Sequence, residues 1–236
     1  MALTRLDKYI ADAAGVTRSQ ARDMIKSGRV SVDGVAVRTI DFKLDPEKCS
    51  VTADGAALGK TGLHYLMMNK PAGVVCATTD EENKTVVDLL TPELRRQGIF
   101  PVGRLDKDTT GLLLLTNDGD FAHNIISPKK HVPKIYIAKT DGTPDGDDVR
   151  AFAEGIVLRD GFECLPAKLE VLGEGLCSVT VEEGKYHQVK RMLASRGKPV
   201  LELKRIAIGE LMLDEGLSEG KYRYLEAPEI ASFHNL

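Results

Sequence analysis

The chain comprises 236 residues with a formal net charge of −3 at pH 7, 42% hydrophobic and 28% charged residues. That composition excludes a largely disordered or low-complexity protein, and no apolar run approaches the roughly 20 residues of a membrane-spanning helix. A length of this order predicts one large domain with a small satellite. The slightly acidic total argues against indiscriminate coating of nucleic acid, so the local distribution of charge matters more. Residues 1–43 hold eight Lys/Arg against five Asp/Glu, residues 185–206 hold seven against Glu202 alone, and Lys129, Lys130, Lys134 and Lys139 form a third basic group. The opening segment through Lys8 carries charges where a signal peptide needs an apolar core, which predicts a cytoplasmic protein. Cys49, Cys76, Cys164 and Cys177 show no CxxC or Cys/His clustering, so they read as reduced, partly buried filler, with neither a zinc site nor a disulfide framework.

Helical spacing of Leu6, Tyr9, Ile10 and Ala13 predicts a helix over Arg5 to Ala14, broken at Gly15. A second helix follows, capped by Thr17 or Ser19, with Ala21, Met24 and Ile25 inside and Gly28 at its end. Arg29 to Val32 and Val35 to Val37 alternate around Asp33-Gly34, a strong hairpin signal. Val51 opens another strand, the unit ends near Asp54-Gly55, and Gly59 to Gly62 reads as a linker. From His64 the pattern changes to strands separated by turns: Tyr65 to Asn69, the apolar Leu112 to Leu115 ending in a turn at Asn117-Asp118-Gly119, Ile135 to Ala138, and Val179 to Glu182. Val86 to Leu90 reads as helical. His187 to Arg196 reads as a helix with Val189, Met192 and Leu193 inside and Lys190, Arg191 and Arg196 near its rim. Such mixed order predicts an α+β domain around a mixed, largely antiparallel sheet.

The densest polar-and-glycine signal is Gly103-Arg104-Leu105-Asp106-Lys107-Asp108-Thr109-Thr110-Gly111, directly before the leucine run. A polar loop at the mouth of a strand is a natural catalytic position. The same residue types also build an ordinary capped turn, and composition alone leaves both readings open.

The string from Gly103 to Asp120 resembles the signature loop of the RsuA/RluA-type pseudouridine synthases, in which the Asp after Arg-Leu is catalytic. Three further segments resemble that family in the same order: Leu66 to Gly73, Lys134-Ile135-Tyr136, and Glu183 to Met192. The front segment, Arg5 to Ile10 through Val30 to Gly34, resembles the S4 RNA-binding module. The resemblance therefore covers nearly the whole chain and implies an S4-like α/β domain at 1–58 and a pseudouridine synthase domain at 63–236. Within the family the chain is most similar to the small-subunit group that modifies 16S rRNA, so RNA is the implied partner, with no cofactor, no metal, and no demand for more than a monomer.

Converting uridine to pseudouridine breaks the N1–C1′ bond, turns the base and joins C5 to C1′, without redox change. One ionised carboxylate suffices, either attacking the sugar or abstracting a sugar proton to give a glycal, and the sequence does not separate these routes. The resemblance assigns that carboxylate to Asp106. A site dried by the bound base disfavours an anion, and a neighbouring cation offsets this; by family position the cation is Lys190, where many relatives carry Arg. Tyr136 is implied to lie against the flipped uracil and to take the C5 proton, and Leu203 to close the pocket. Without the resemblance, Lys190 reads as a solvated helix face and Tyr136 and Leu203 as packing residues.

A uridine in folded RNA must first be unstacked, at a cost of a few kcal/mol. Arg104 is the candidate to fill the vacated space or hold the flipped phosphate, and His187 and Gln188 are candidate hydrogen-bonding supports. Arg191, Lys129 and Lys130, together with Arg5, Arg18, Lys26 and Arg29 of the S4-like segment, are candidates for phosphate contacts. The competing expectations are a 23S rRNA synthase of the same family, a non-catalytic RNA-binding or ribosome-assembly protein, and an N-glycosidase using Asp108 as a second carboxylate. The absence of a basic tail after Leu225 counts against the first, and the joint presence of Asp106, Tyr136 and Lys190 against the second.

Overall fold

The computed structural model describes residues 3–45, 49–58 and 62–233. By internal contacts the chain forms two compact units, Met1–Leu63 with Thr91–Ile99, and His64–Leu90 with Phe100–Leu236. The grouping of Thr91–Ile99 with the first unit is not foreseeable from local sequence pattern.

In the first unit, helix Leu6–Ala14 ends at Gly15, whose φ of 64° is the left-handed conformation that glycine adopts without penalty. Helix Arg18–Lys26 begins at Thr17, which forms a capping box with Gln20. Strands Val30–Val32 and Val35–Ala36 pair around Asp33 and Gly34, both at positive φ, as a two-residue hairpin turn requires. Val51–Ala53 adds to Val30–Val32 on the other side. The unit does not end at Asp54-Gly55: this pair, again at positive φ, turns the chain into a further strand, Ala56–Leu58. The dipeptide acts as the same hairpin signal as Asp33-Gly34 and not as the terminus expected there. The expected linker lies outside the described residues except for Gly62.

Leu6, Ile10, Ala21, Ile25 and Val30 form a closed apolar core here, each 0% exposed. Beside it the Asp7 side chain is fully buried and accepts from Arg5 Nε and Nη2, both at 3.1 Å, and from Arg22 Nε at 3.0 Å, with Arg18 Nη2 at 3.8 Å. Burial pushes the Asp7 carboxyl up, but the bonds from Arg22 and Arg5 and the charges of Arg5 and Arg18 outweigh it, leaving its pKa below the usual value.

The second unit is built on one nine-stranded sheet. Its main path runs Lys168–Gly173, Leu176–Val181, Lys134–Thr140, Val200–Ile208, Thr110–Thr116, Tyr65–Lys70, Tyr222–Tyr224, with Leu211–Met212 and Phe100–Val102 attached at the side. The leucine run sits in a strand covered on both faces, which is why it is continuous rather than alternating. Helices Gly146–Glu154 and Gln188–Ser195 supply Phe152, Val189, Met192 and Leu193 to one core; helix Gly119–Ile126 supplies Phe121, Ala122 and Ile125 to another. That last helix replaces the turn expected at Asn117-Asp118-Gly119, because the Asp118 carboxylate accepts from the Asp120 and Phe121 amides and caps it. Val87–Leu89 is a single 3-10 turn in place of the longer helix expected there.

The one parallel strand pair among the described residues joins Lys204 to Thr110 and Arg205 to Gly111, where the Asp106 loop enters the sheet. Gly111 has φ 100°, and a Cβ there would collide with the Arg205 carbonyl oxygen, so no other residue fits without moving the strand. On its other side Gly111 faces Lys70. The Lys70 side chain is wholly buried, and its Nζ donates to the carbonyl oxygens of Pro71 at 3.0 Å, Asp106 at 3.1 Å and Thr109 at 2.9 Å, with that of Lys107 at 3.4 Å. Burial lowers the Lys70 pKa below the usual lysine value, and the carbonyl cage is what compensates its charge.

Two outcomes follow. Because the folded-state pKa of Asp7 is lowered, its contribution to stability is complete above the unfolded aspartate pKa of about 3.9 and is lost as pH falls through the lowered value. The stability gap between wild type and Asp7→Asn, read from urea unfolding of the first unit, is therefore expected to be constant near neutrality and to shrink below about pH 4; a gap that persists undiminished to about pH 2 would contradict it. Lys70→Met leaves buried carbonyls unpaired at about 1–3 kcal/mol each, so the second unit is expected to melt at least about 4 °C lower. A melting temperature unchanged within about 1 °C would show that those carbonyls find other donors.

Candidate active site

A cavity of about 480 Å³ opens in the second unit, within the size range of small-ligand pockets. Its wall is made by the loop after Val102, the end of helix Gly119–Ile126, strands Lys134–Thr140 and Val200–Ile208, and the segment leading into helix Gln188–Ser195. Arg104, Asp106, Tyr136, His187, Gln188 and Leu203 all line it. The sequence therefore selected residues far apart in the chain that share one space.

The Asp106 side chain is 25% exposed and held at both oxygens: Oδ2 lies 3.1 Å from Lys190 Nζ and 3.5 Å from Thr109 Oγ1, and Oδ1 lies 3.3 Å from His187 Nε2. The loop backbone is steadied from behind, since the Leu105 amide donates to Cys76 Sγ at 3.3 Å. Cys76 is thus more than filler, and its burial pushes the thiol pKa up. Lys190 is shared between two carboxylates, with Asp108 Oδ1 at 2.5 Å. Burial works against the Lys190 ammonium, but its bonds to Asp108 and Asp106 and their charges prevail and raise its pKa. The bond from Lys190 lowers that of Asp108, against a smaller opposing effect of burial.

His187 stands at φ 48°, an uncommon conformation for a residue with a Cβ, and its ring stacks on Tyr186 at 3.8 Å between centroids. Gln188 starts the helix and ties the preceding loop to it: its Nε2 donates to Glu183 Oε2 at 2.8 Å and its Oε1 accepts from the Lys185 amide at 3.2 Å. Arg205, which also lines the cavity, is buried, with Nη1 3.5 Å from the Tyr136 hydroxyl. Lys134 lines the cavity as well, and burial together with the Arg205 charge, against the pull of Glu182, brings its pKa down to about 8.

The other candidates lie elsewhere. Arg191 pairs with Asp160 at 2.5 Å and does not line the cavity; one residue beyond Lys190 on the helix, it faces a different carboxylate. Lys129 and Lys130 are exposed on the short turn Pro128–Lys130, next to the cavity-lining Pro128. In the first unit, Arg5 and Arg18 bind Asp7, and Arg29 Nε bonds Asp54 at 2.6 Å. Lys26 is exposed and makes no ion pair among the described residues. Sequence reasoning missed Lys70 and Arg205, which read as a turn residue and as surface charge, and it missed Arg22 in the Asp7 cluster. Among the described residues no three His, Cys, Asp or Glu are grouped to hold a metal ion, and no helix is long and apolar enough to cross a membrane.

Comparison with known proteins shows the family of the chain. Residues 64–195 match the family model described as RNA pseudouridylate synthase, and residues 4–48 match that of the S4 domain. The chain is 45% identical to the Ribosomal small subunit pseudouridine synthase A of Vibrio cholerae, over 97% of this chain and 98% of that protein. It is 44% identical to the protein of the same name from Escherichia coli, over 97% and 99%. A Bacillus subtilis protein named Uncharacterized RNA pseudouridine synthase YtzG is 43% identical over 96% of each chain. A solved pseudouridylate synthase superposes with a TM-score of 0.70 at 39% identity, covering 97% of this chain and 99% of that one. The chain, with an S4 domain ahead of the cavity-bearing unit, belongs to the RNA pseudouridylate synthase family.

Proposed function

We propose that this pseudouridine synthase acts on a uridine of small-subunit (16S) rRNA, with Asp106 as its catalytic carboxylate. The observation that carries the site assignment is the Asp106 carboxylate, fixed by Lys190 and His187 at the edge of the cavity that Tyr136 also lines. The small-subunit substrate is supported by relatives named for it at 44–45% identity along nearly their whole length.

In this reading the target uridine leaves its stack and enters the cavity, its base against Tyr136 and its ribose toward Asp106. Asp106 either attacks C1′ or removes the 2′ proton, and both routes release the base from C1′. Lys190 supplies the charge that keeps the carboxylate usable as water is excluded, while Asp108 holds Lys190 in place. The base turns, C5 bonds C1′, and the C5 proton departs with the Tyr136 hydroxyl as the nearby acceptor. Arg104 steadies the flipped nucleotide, Gln188 shapes the wall, and Leu203 packs against the base. Arg18, with Arg5 and Arg29 partly neutralised by their carboxylates, and Lys26 meet phosphates from the S4 side, as Lys129, Lys130 and the half-exposed Arg191 do near the cavity. The S4 domain is assigned to 1–58 and the catalytic domain to 63–236. The reaction is a redox-neutral isomerisation needing no cofactor, the site is complete within one chain, and an rRNA substrate places a monomeric enzyme in the cytoplasm.

Asp106→Asn is expected to lower tritium release from C5-labelled uridine in small-subunit rRNA by at least about 10⁴-fold, with RNA affinity within several fold of wild type. Substantial remaining release would remove Asp106 from the chemistry. Free uracil as the product of the wild-type protein would point to glycosidase action instead.

A further inference from the structure

Arg205 is 4% exposed, yet among the described residues it meets no carboxylate. Its Nε donates to the Leu112 carbonyl at 2.8 Å, its Nη1 lies 3.5 Å from the Tyr136 hydroxyl, and its buried Nη2 has no partner. The half-buried arginines behave differently: Arg196 pairs with Asp148, Arg191 with Asp160, and Arg223 with Asp214 and Glu229. A buried guanidinium without a counter-ion is costly, and a fold keeps one where an anion arrives. Its charge reaches the cavity wall, as the depressed pKa of Lys134 records.

The reaction supplies such an anion. When the N1–C1′ bond breaks, its electron pair stays on the base, and the negative charge spreads over N1 and the two carbonyl oxygens. This holds whether Asp106 bonds to C1′ or takes the 2′ proton. C5 of the anion then bonds C1′ as the Asp106–C1′ bond breaks or, on the glycal route, as C2′ recovers its proton from Asp106; the C5 proton leaves and N1 takes up a proton, so atoms and charge balance. We infer that Arg205 is the counter-charge for this uracil anion, acting through the Tyr136 hydroxyl that its Nη1 meets in the cavity lining. Bound uridine is neutral, so the interaction strengthens only as the bond breaks, which is the condition for lowering a barrier rather than merely binding substrate. Because Nη1 donates to the phenol oxygen, the phenol proton can point at the base as the anion forms, and the oxygen takes the C5 proton only after that proton has passed to N1. Arg205 is thus a positioning residue that also sets the potential of the base-facing wall.

The inference rests on the proposed reading of Asp106 and is tested apart from it. Fluorine at C5 withdraws electrons and stabilises the departing base, so 5-fluorouridine needs less help from a protein cation. Single-turnover consumption of uridine and of 5-fluorouridine at the target position is followed by nuclease digestion and mass spectrometry. Arg205→Met is expected to slow the uridine substrate by about 100-fold and the fluorinated one by less than about tenfold, with RNA affinity unchanged. Arg205→Lys, which retains the charge, is expected to recover most of the uridine rate. Equal slowing on both substrates, or no slowing, would overturn the inference. Where Arg205→Met does not fold, Arg205→Gln carries the same comparison. Persistent activity of Asp106→Asn in this assay would instead defeat the reading of the site, independently of how Arg205 behaves.

Discussion

Lys70 holds the backbone of the Asp106 loop through the carbonyl oxygens of Asp106 and Thr109, while Lys190 and His187 hold the carboxylate itself. A catalytic group displaced by 1 Å loses most of its advantage, so fixing both ends matters more than adding contacts. The fold makes this possible at one point, Gly111, where Lys70 lies opposite on one strand and Arg205 alongside on another. Lacking a side chain, Gly111 lets the Arg205 backbone approach close enough for the single parallel pairing of the described sheet.

At the cavity Asp106 is held by Lys190 and His187, with Asp108 on Lys190, and Lys134, Tyr136 and Arg205 contribute to the lining. A nucleotide undergoing this isomerisation develops electron deficiency at the sugar and excess at the base. In the proposed reading Asp106 offers an anion to the first and Arg205 a cation to the second, and the burial of Arg205 keeps water from screening it.

Much of this was legible in the sequence because it is written locally. Gly15, the Thr17 cap and Asp33-Gly34 set their turns through backbone preferences, and the polar string before Leu112 marks the loop that lines the cavity. Family resemblance then joined Asp106 to Tyr136 and Lys190, which composition alone does not connect. What stayed hidden depends on distant partners. Lys70 sits beside Pro71-Ala72-Gly73 and reads as a turn residue until the carbonyls of Asp106 and Thr109 close around it. Arg205 lies in a basic window and reads as surface charge, though its strand is interior. Arg191 and Lys190 look equivalent in sequence, but the helix turns one toward Asp160 and the other toward Asp106. Asp118-Gly119 carries the composition of a turn and caps a helix, a distinction that the spacing of Phe121, Ala122 and Ile125 would have revealed.

The central claim is that the ribose of an extruded uridine meets the Asp106 side chain. The most direct measurement is the structure of the Asp106→Asn protein bound to a small-subunit rRNA fragment carrying its target uridine. The expected result is a base withdrawn from its stack against Tyr136, with C1′ within about 3.5 Å of the side chain at position 106. A uridine still stacked in the RNA, with that side chain turned to solvent, would contradict the account.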